Sequence, residues 1–214
     1  MLLLCWQQLM TTPAHLIFNL ALYDRQQIPH SFSAVLWGAL VPDLPIMLMF
    51  AWEKLVMAKP LDIIRYEIYV SDPWRAIIDT PNSIPFILIG LLAVLAFQST
   101  WFKLRPKLGL TLPQVEWVKL FFISMLGHVV LDLPVHIEDA HRHLFPFSNY
   151  KFISSFSYWN NDHHAQLILL IEIVLLIVAS HILWHRRPSR PGHRLLLAVI
   201  SLYVAVFCVR YVLI

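Results

Sequence analysis

Four histidines and three carboxylates crowd into one sixteen-residue run, His128-Val-Val-Leu-Asp132-Leu-Pro-Val-His136-Ile-Glu138-Asp139-Ala-His141-Arg-His143. His128 and Asp132 are four apart, so a helix would present both on one face, a spacing that metal ions use. Imidazole nitrogen and carboxylate oxygen without thiolate suit zinc first, then manganese or iron, and suit magnesium or calcium less well. The two cysteines, Cys5 and Cys208, stand near opposite ends of the chain and neither has a CxxC partner, so thiolate ligation and a disulfide framework are both poor readings. A nitrogen and oxygen site with an open coordination position lowers the pKa of bound water toward ~7. Metal-assisted hydrolysis is therefore the enzymatic class these residues favour, since the sequence has no serine elbow, phosphate-cradling glycine loop or nucleotide fingerprint.

Other polar residues interrupt apolar stretches elsewhere: His15, Asp43 within Pro42-Asp-Leu-Pro45, and Glu172 shortly after Asp162-His163-His164. Ionisable groups are costly in hydrocarbon and mark function by default, yet a lone one is as often hydrogen-bonding glue between helices. The pair His128 and Asp132 rises above that bland reading because two ligands are presented together. His136, His141 and His143 fall in a polar loop where each alone would be solvated surface. Grouped with Glu138 and Asp139, they are candidates for further metal ligation, and the two carboxylates for a general base. Glu172, Asp162, His163 and His164 are candidates to support the ligands. His181, His185 and His193 stand among arginines, where snorkelling surface residues are the better account, and His30 gets no role.

The elements that must position these side chains are membrane helices. Hydrophobic residues make up 58% of the 214, charged residues 14%, and the mean hydropathy is +0.65. Soluble domains carry about 25% charged residues, so this chain lies outside that class. A spanning helix needs about 20 mainly apolar residues. Six stretches qualify, at about 12–22 (extendable back to 2), 33–57 with a Pro-x-x-Pro interruption, 83–102, 117–134, 165–185 and 195–214. The expected fold is all-α, a polytopic bundle of five to six transmembrane helices in one domain, with 135–164 as a histidine-rich loop.

Lys103, Arg105 and Lys107 follow the third stretch, and Arg186, Arg187, Arg190 and Arg194 follow the fifth. Two spans separate these loops, so both lie on one side, which the positive-inside rule makes cytoplasmic. His15, Asp43, His128, Asp132 and Glu172 then converge toward the other face. The formal charge of +3 resides in these short loops, which explains it by membrane orientation and speaks against nucleic acid as a partner. The apolar start, MLLLCWQQLM, lacks the basic region and cleavage site of a signal peptide.

The segments Met10-Thr-Thr-Pro-Ala-His15, Val41-Pro-Asp43-Leu-Pro and Gly127-His128-Val-Val-Leu-Asp132 resemble the bacterial family of membrane-bound metal-dependent hydrolases, distantly similar to zinc-dependent phospholipase C. The run His136 to Ser148 and the run Ser157 to His164 look like a divergent branch of it. The resemblance implies that His15, Asp43, His128 and Asp132 are metal ligands, that the protein resides in a bacterial inner membrane, and that residues 1–9 are an upstream extension. Such families carry a further histidine-rich element between the aspartate and the His-x-x-x-Asp pair, and here no histidine lies between Asp43 and His128. Either His136, His141 and His143 supply the missing ligands, or the scaffold has outlived the chemistry.

The expected function is hydrolysis of an ester or phosphoester, of a lipid-like kind, at the non-cytoplasmic face of the bilayer. A haem-binding or electron-transfer protein with His15 and His128 as axial ligands is one alternative. A metal or proton transporter, or a non-catalytic assembly factor, is the other, although transporters usually show paired halves and no internal repeat is visible here.

Overall fold

The computed structural model describes residues 11–25, 28, 30–108, 112–137, 139–158, 160–186 and 189–211. Among them the chain is all-helical, with no strand. Helix α1 is Thr11–Tyr23, α2 is Ser31–Leu40, and α3 is Leu44–Ala51, prolonged by a π-helical turn at Trp52–Val56. Helix α4, Leu61–Ile63, runs into a second π-helical turn at Ile64–Ile68, and α5 is Asp72–Asp79. The long helices follow: α6 at Ile84–Leu108, α7 at Leu112–Asp132, α8 at Ala165–Arg186 and α9 at Arg190–Tyr211. Between α7 and α8 the chain forms a 3-10 turn at Leu133–Val135, a mostly irregular loop, and a second 3-10 turn at Asn161–His163.

Among the described residues four spans are long and apolar enough to cross a membrane, Asp72–Gln98, Gln114–Val135, Ala165–Arg186 and Arg190–Val209. A fifth counts if Ser31–Leu40 and Leu44–Val56, bent by 57° at the proline break, act as one broken span. The expected five to six spans thus meet four or five candidates among the described residues. Helix α1 has 13 residues, about 20 Å of helix against the ~30 Å hydrocarbon core, and its extension back to residue 2 lies outside the described residues. The stretch 58–82, which falls between two of the apolar stretches, is mostly helical once α4, the π-helical turn after it and α5 are taken together. The lipid-facing reading has a direct mark: Leu167, Leu170, Ile171, Val174, Leu175, Ile177 and Val178 of α8 are all exposed. A patch of that size is foreign to a monomer in water and ordinary against acyl chains.

Helix α7 is central, packing on α1, α2 and α6, while α8 packs on α1 and α9. Without a hydrophobic drive between helices in lipid, small residues and polar contacts set such packing. A Cβ on Gly38 would sit 2.3 Å from the Phe121 carbonyl oxygen, so α2 meets α7 backbone to backbone only because the side chain is absent. At Gly127 a Cβ would stand 2.6 Å from the Tyr23 ring and 2.9 Å from Asn19 Oδ1, which fixes how near α1 can come. Asn19 Nδ2 donates to the Ser124 carbonyl at 2.9 Å, and Ser124 Oγ donates to the Val35 carbonyl at 2.7 Å. One buried hydrogen-bond chain thereby ties α1, α7 and α2 together, one turn from His128.

A candidate cation site of paired imidazoles and carboxylates

The proline break delivers Asp43. Proline removes an amide donor and disfavours helix in the residue before it, so the chain turns at 41–43 before α3 resumes. Asn82 Nδ2 donates to the freed Pro42 carbonyl at 3.0 Å, which satisfies the interruption. Asp43 sits at the corner with its side chain 15% exposed, and Thr12 of α1 donates a short hydrogen bond to its carboxylate. His128 of α7 is fully buried, with Nε2 3.4 Å from Asp43 Oδ1.

The other nitrogen of His128 decides its chemistry. Nδ1 lies 2.8 Å from the Ala39 carbonyl oxygen, which can only accept, so Nδ1 carries a hydrogen. Nε2 is then either protonated or a bare lone pair aimed toward a carboxylate, and it has no hydrogen-bond partner among the described residues. A ring that donates to a backbone carbonyl and offers its far nitrogen is the usual arrangement of a metal-bound histidine.

One turn further, Asp132 lies between two imidazoles. Its Oδ1 is 3.4 Å from His15 Nε2 and 2.8 Å from His136 Nε2. His136 Nδ1 is in turn 2.8 Å from Asp139 Oδ2. These are ion-pair distances without hydrogen-bond alignment, and both ring nitrogens of His15 are likewise buried without a hydrogen-bond partner among the described residues. The His15 and His128 rings stack with centroids 4.4 Å apart, which joins the two halves of the cluster and leaves no room for a porphyrin between them.

Burial disfavours a charged His136, yet Asp132 and Asp139 outweigh it and hold the imidazole well above its usual pKa. Burial likewise opposes the Asp139 carboxylate, and His136 more than offsets it, so that carboxyl lies below its usual range.

The rest of the run reaches a different partner. His141 Nδ1 is 3.1 Å from Asp79 Oδ1, and Arg142 donates to the other oxygen of Asp79. His143 is buried; burial first, then the neighbouring His141, push its imidazole down to about 4, so it is neutral. Edge contacts at 5.9 Å between His136 and His141, and at 6.0 Å between His141 and His143, make the three rings contiguous. Glu172 of α8 is buried, with both carboxyl oxygens lacking a hydrogen-bond partner among the described residues. Asp162 and His164 are exposed and His163 is half-buried. Among the described residues no hydrogen bond or ion pair ties these three side chains to the cluster, so the supporting role expected of them has no geometric basis. Glu138, the alternative general base, lies outside the described residues.

The structure thus brings together His15, Asp43, His128, Asp132, His136 and Asp139. It adds Thr12, the Ala39 carbonyl, Arg75 and Asp79, which the sequence reading did not single out. Thr12 lies three residues before His15 and so on the same helical face, a signal that was available. Asp79 stood in a stretch read as loop, although Arg75 and Asp79 have helical i, i+4 spacing.

Among the described residues no three histidine, cysteine, aspartate or glutamate side chains stand in an arrangement that could hold one metal ion as they are. The physical reason is pairing: His128 is turned toward Asp43, His15 and His136 toward Asp132, and His141 toward Asp79, so these imidazoles are divided among three carboxylates. The donor set nevertheless fits a cation chemically. Buried ring nitrogens without hydrogen-bond partners face carboxylate oxygens in a low-dielectric place, and such lone pairs are stabilised by a positive charge between them, be it a proton or a metal ion. Comparison with known protein families, with curated proteins and with solved structures gave no match.

Proposed function

We propose that the protein is a membrane-embedded, metal-dependent hydrolase of esters or phosphoesters, lipid-like ones included, at the non-cytoplasmic face of a bacterial inner membrane. The supporting observation is His128, anchored through Nδ1 on the Ala39 carbonyl with Nε2 directed at Asp43. His15, Asp43, His128, Asp132 and His136 would hold the ion, with zinc first among candidates and manganese or iron next. A divalent cation there supplies Lewis acidity and lowers the pKa of bound water toward ~7.

The chain does the rest. Thr12 orients Asp43, and the Ala39 carbonyl fixes the His128 tautomer. Asp139, 2.8 Å from His136 Nδ1, is the carboxylate positioned to take the proton that an attacking water releases. The family resemblance of the sequence motifs supports the same reading. His136, beside Asp132, answers for the histidine lacking between Asp43 and His128.

A second reading is proton or cation translocation along the same chain, favoured by the alternation Asp43, His128, His15, Asp132, His136, Asp139 across a membrane bundle. Turnover of a chromogenic phosphodiester by the purified protein separates the two. Hydrolysis that chelator abolishes, zinc restores and His128→Ala lacks supports the hydrolase. No turnover with any divalent metal, together with proton uptake in proteoliposomes, overturns it.

A further inference from the structure

One charged cluster has no part in holding the ion. Arg75 and Asp79 come from α5, and Arg142 and Lys151 from the irregular loop after α7. Arg142 donates from Nε to Asp79 and from Nη1 to Asn149 Oδ1 at 3.1 Å, with its guanidinium over the Phe145 ring at 4.8 Å. Its Nη2 is buried with no acceptor among the described residues. Arg75 is itself buried at 4% exposure, donates from Nη2 to the Asp139 and Ala140 carbonyls, and lies 3.4 Å from Asp79. Lys151 has no acidic partner at ion-pair distance among the described residues, and it lies two residues after Asn149, whose side chain accepts from Arg142.

Two guanidiniums, those of Arg75 and Arg142, therefore share one carboxylate, Asp79, which His141 also engages, and Lys151 adds a third cation to the same loop. A buried guanidinium N–H without an acceptor costs free energy, as does crowding like charges, so the cluster is short of an anion. Guanidinium with a free donor edge beside an ammonium is the chemistry that recognises phosphate oxygens. The cluster is one ring away from the candidate cation site, because His141 bridges Asp79 and the edge of His136.

We propose that Arg142 and Lys151, backed by the charge of Arg75, form a binding subsite for the phosphate group of a phosphoester. It deepens the hydrolase reading, on which it rests for the fate of the bound group, by naming phosphoesters over carboxylic esters as the substrate class. Arg142 Nη2 and Lys151 Nζ donate to phosphate oxygens, and Asp79 holds the Arg142 guanidinium in orientation. Phe147, Tyr150 and Ile153, all exposed, flank Lys151, which is the composition of a segment lying at a lipid interface. The phosphate could thus belong to a lipid headgroup or to a soluble ester.

The test is equilibrium binding to the full chain with divalent metal chelated, which separates this subsite from the cation site. One arm titrates inorganic phosphate against protein in detergent; the other measures binding of radiolabelled phosphatidic acid to protein in zwitterionic nanodiscs. Saturable binding is expected in at least one arm, in phosphate for a soluble ester or in phosphatidic acid for a lipid. Lys151→Gln should weaken it about tenfold, and Lys151→Gln with Arg142→Gln about a hundredfold. Lys151 makes no hydrogen bond that folding needs, so the single variant remains informative if the double one fails to fold. His128→Ala should leave this binding intact while abolishing metal-dependent hydrolysis. No saturable binding in either arm, or binding that Lys151→Gln leaves unchanged, overturns the subsite and leaves the cation site standing.

Discussion

At the scale of single residues, the account turns on tautomers and pairs. His128 illustrates how a backbone oxygen sets a side chain's chemistry: Nδ1 donates to the Ala39 carbonyl, and that decides what Nε2 can do. Thr12 does the same for Asp43 from a different helix. Outer partners of this kind typically contribute about 10–100-fold in metal affinity. Thr12→Val keeps the shape and removes the hydroxyl, so it should weaken zinc binding by about that factor in a competition titration, with the fold retained. Unchanged affinity would mean that Asp43 is not a ligand. His15, Asp43, His128 and Asp132 stood out in the sequence because ionisable side chains are conspicuous against hydrocarbon, and the structure brings them together. The Ala39 carbonyl did not, since no side-chain pattern announces which backbone oxygen a ring will meet. Asp162, His163 and His164 were harder to read for the opposite reason. Polar residues in a polar loop carry no cost, so their types say little about where they point.

At the scale of elements, the site exists because helices approach closely. Gly127 precedes His128 and lets α1, which carries Thr12 and His15, lie against α7. Gly127→Ala would press a methyl group to within 2.6 Å of the Tyr23 ring and 2.9 Å of Asn19. Overpacking of this kind costs about 1–3 kcal/mol. The variant should unfold earlier in a detergent thermal scan and should also bind metal more weakly, because α1 must move away from α7. A variant that melts like the parent and binds metal equally well would show that α1 does not need its place. The broken helix at Pro42 and Pro45 was readable from two prolines in an apolar stretch, and the 57° bend agrees with it. Helices α4 and α5 escaped the sequence reading because they are short and carry charge, so neither length nor hydropathy marks them. Their role is visible only in contacts: α5 supplies Arg75 and Asp79, and Tyr69 just before it donates to the Asp139 carbonyl at 3.1 Å.

For the whole molecule, composition pointed to the all-helical fold that the structure shows and to five or six spans, where four or five among the described residues are long and apolar enough. Hydropathy finds apolar stretches but cannot tell a 13-residue helix packed against α7 and α8 from one that reaches both interfaces. The two basic segments, read as loops, lie in the last turns of α6 (Lys103, Arg105, Lys107) and at the ends of α8 and α9 that meet (Arg186, Arg190, Arg194); α7 and α8 separate them however α1 is counted, so their common side does not depend on the total. Cysteine labelling in intact cells checks the orientation, with Cys5 and Cys208 replaced by serine. Tyr150→Cys should react with an impermeant maleimide and Ser189→Cys should not. The reverse pattern would put the imidazole and carboxylate cluster on the cytoplasmic side. The measurement closest to the central claim is the metal content of the purified, detergent-solubilised protein by elemental analysis, compared between the parent chain and Asp132→Asn. The account predicts zinc, or another divalent transition metal, near one equivalent or more in the parent and little in the variant. A folded parent protein that holds no such metal after dialysis against zinc, or a variant that retains it fully, would contradict the account.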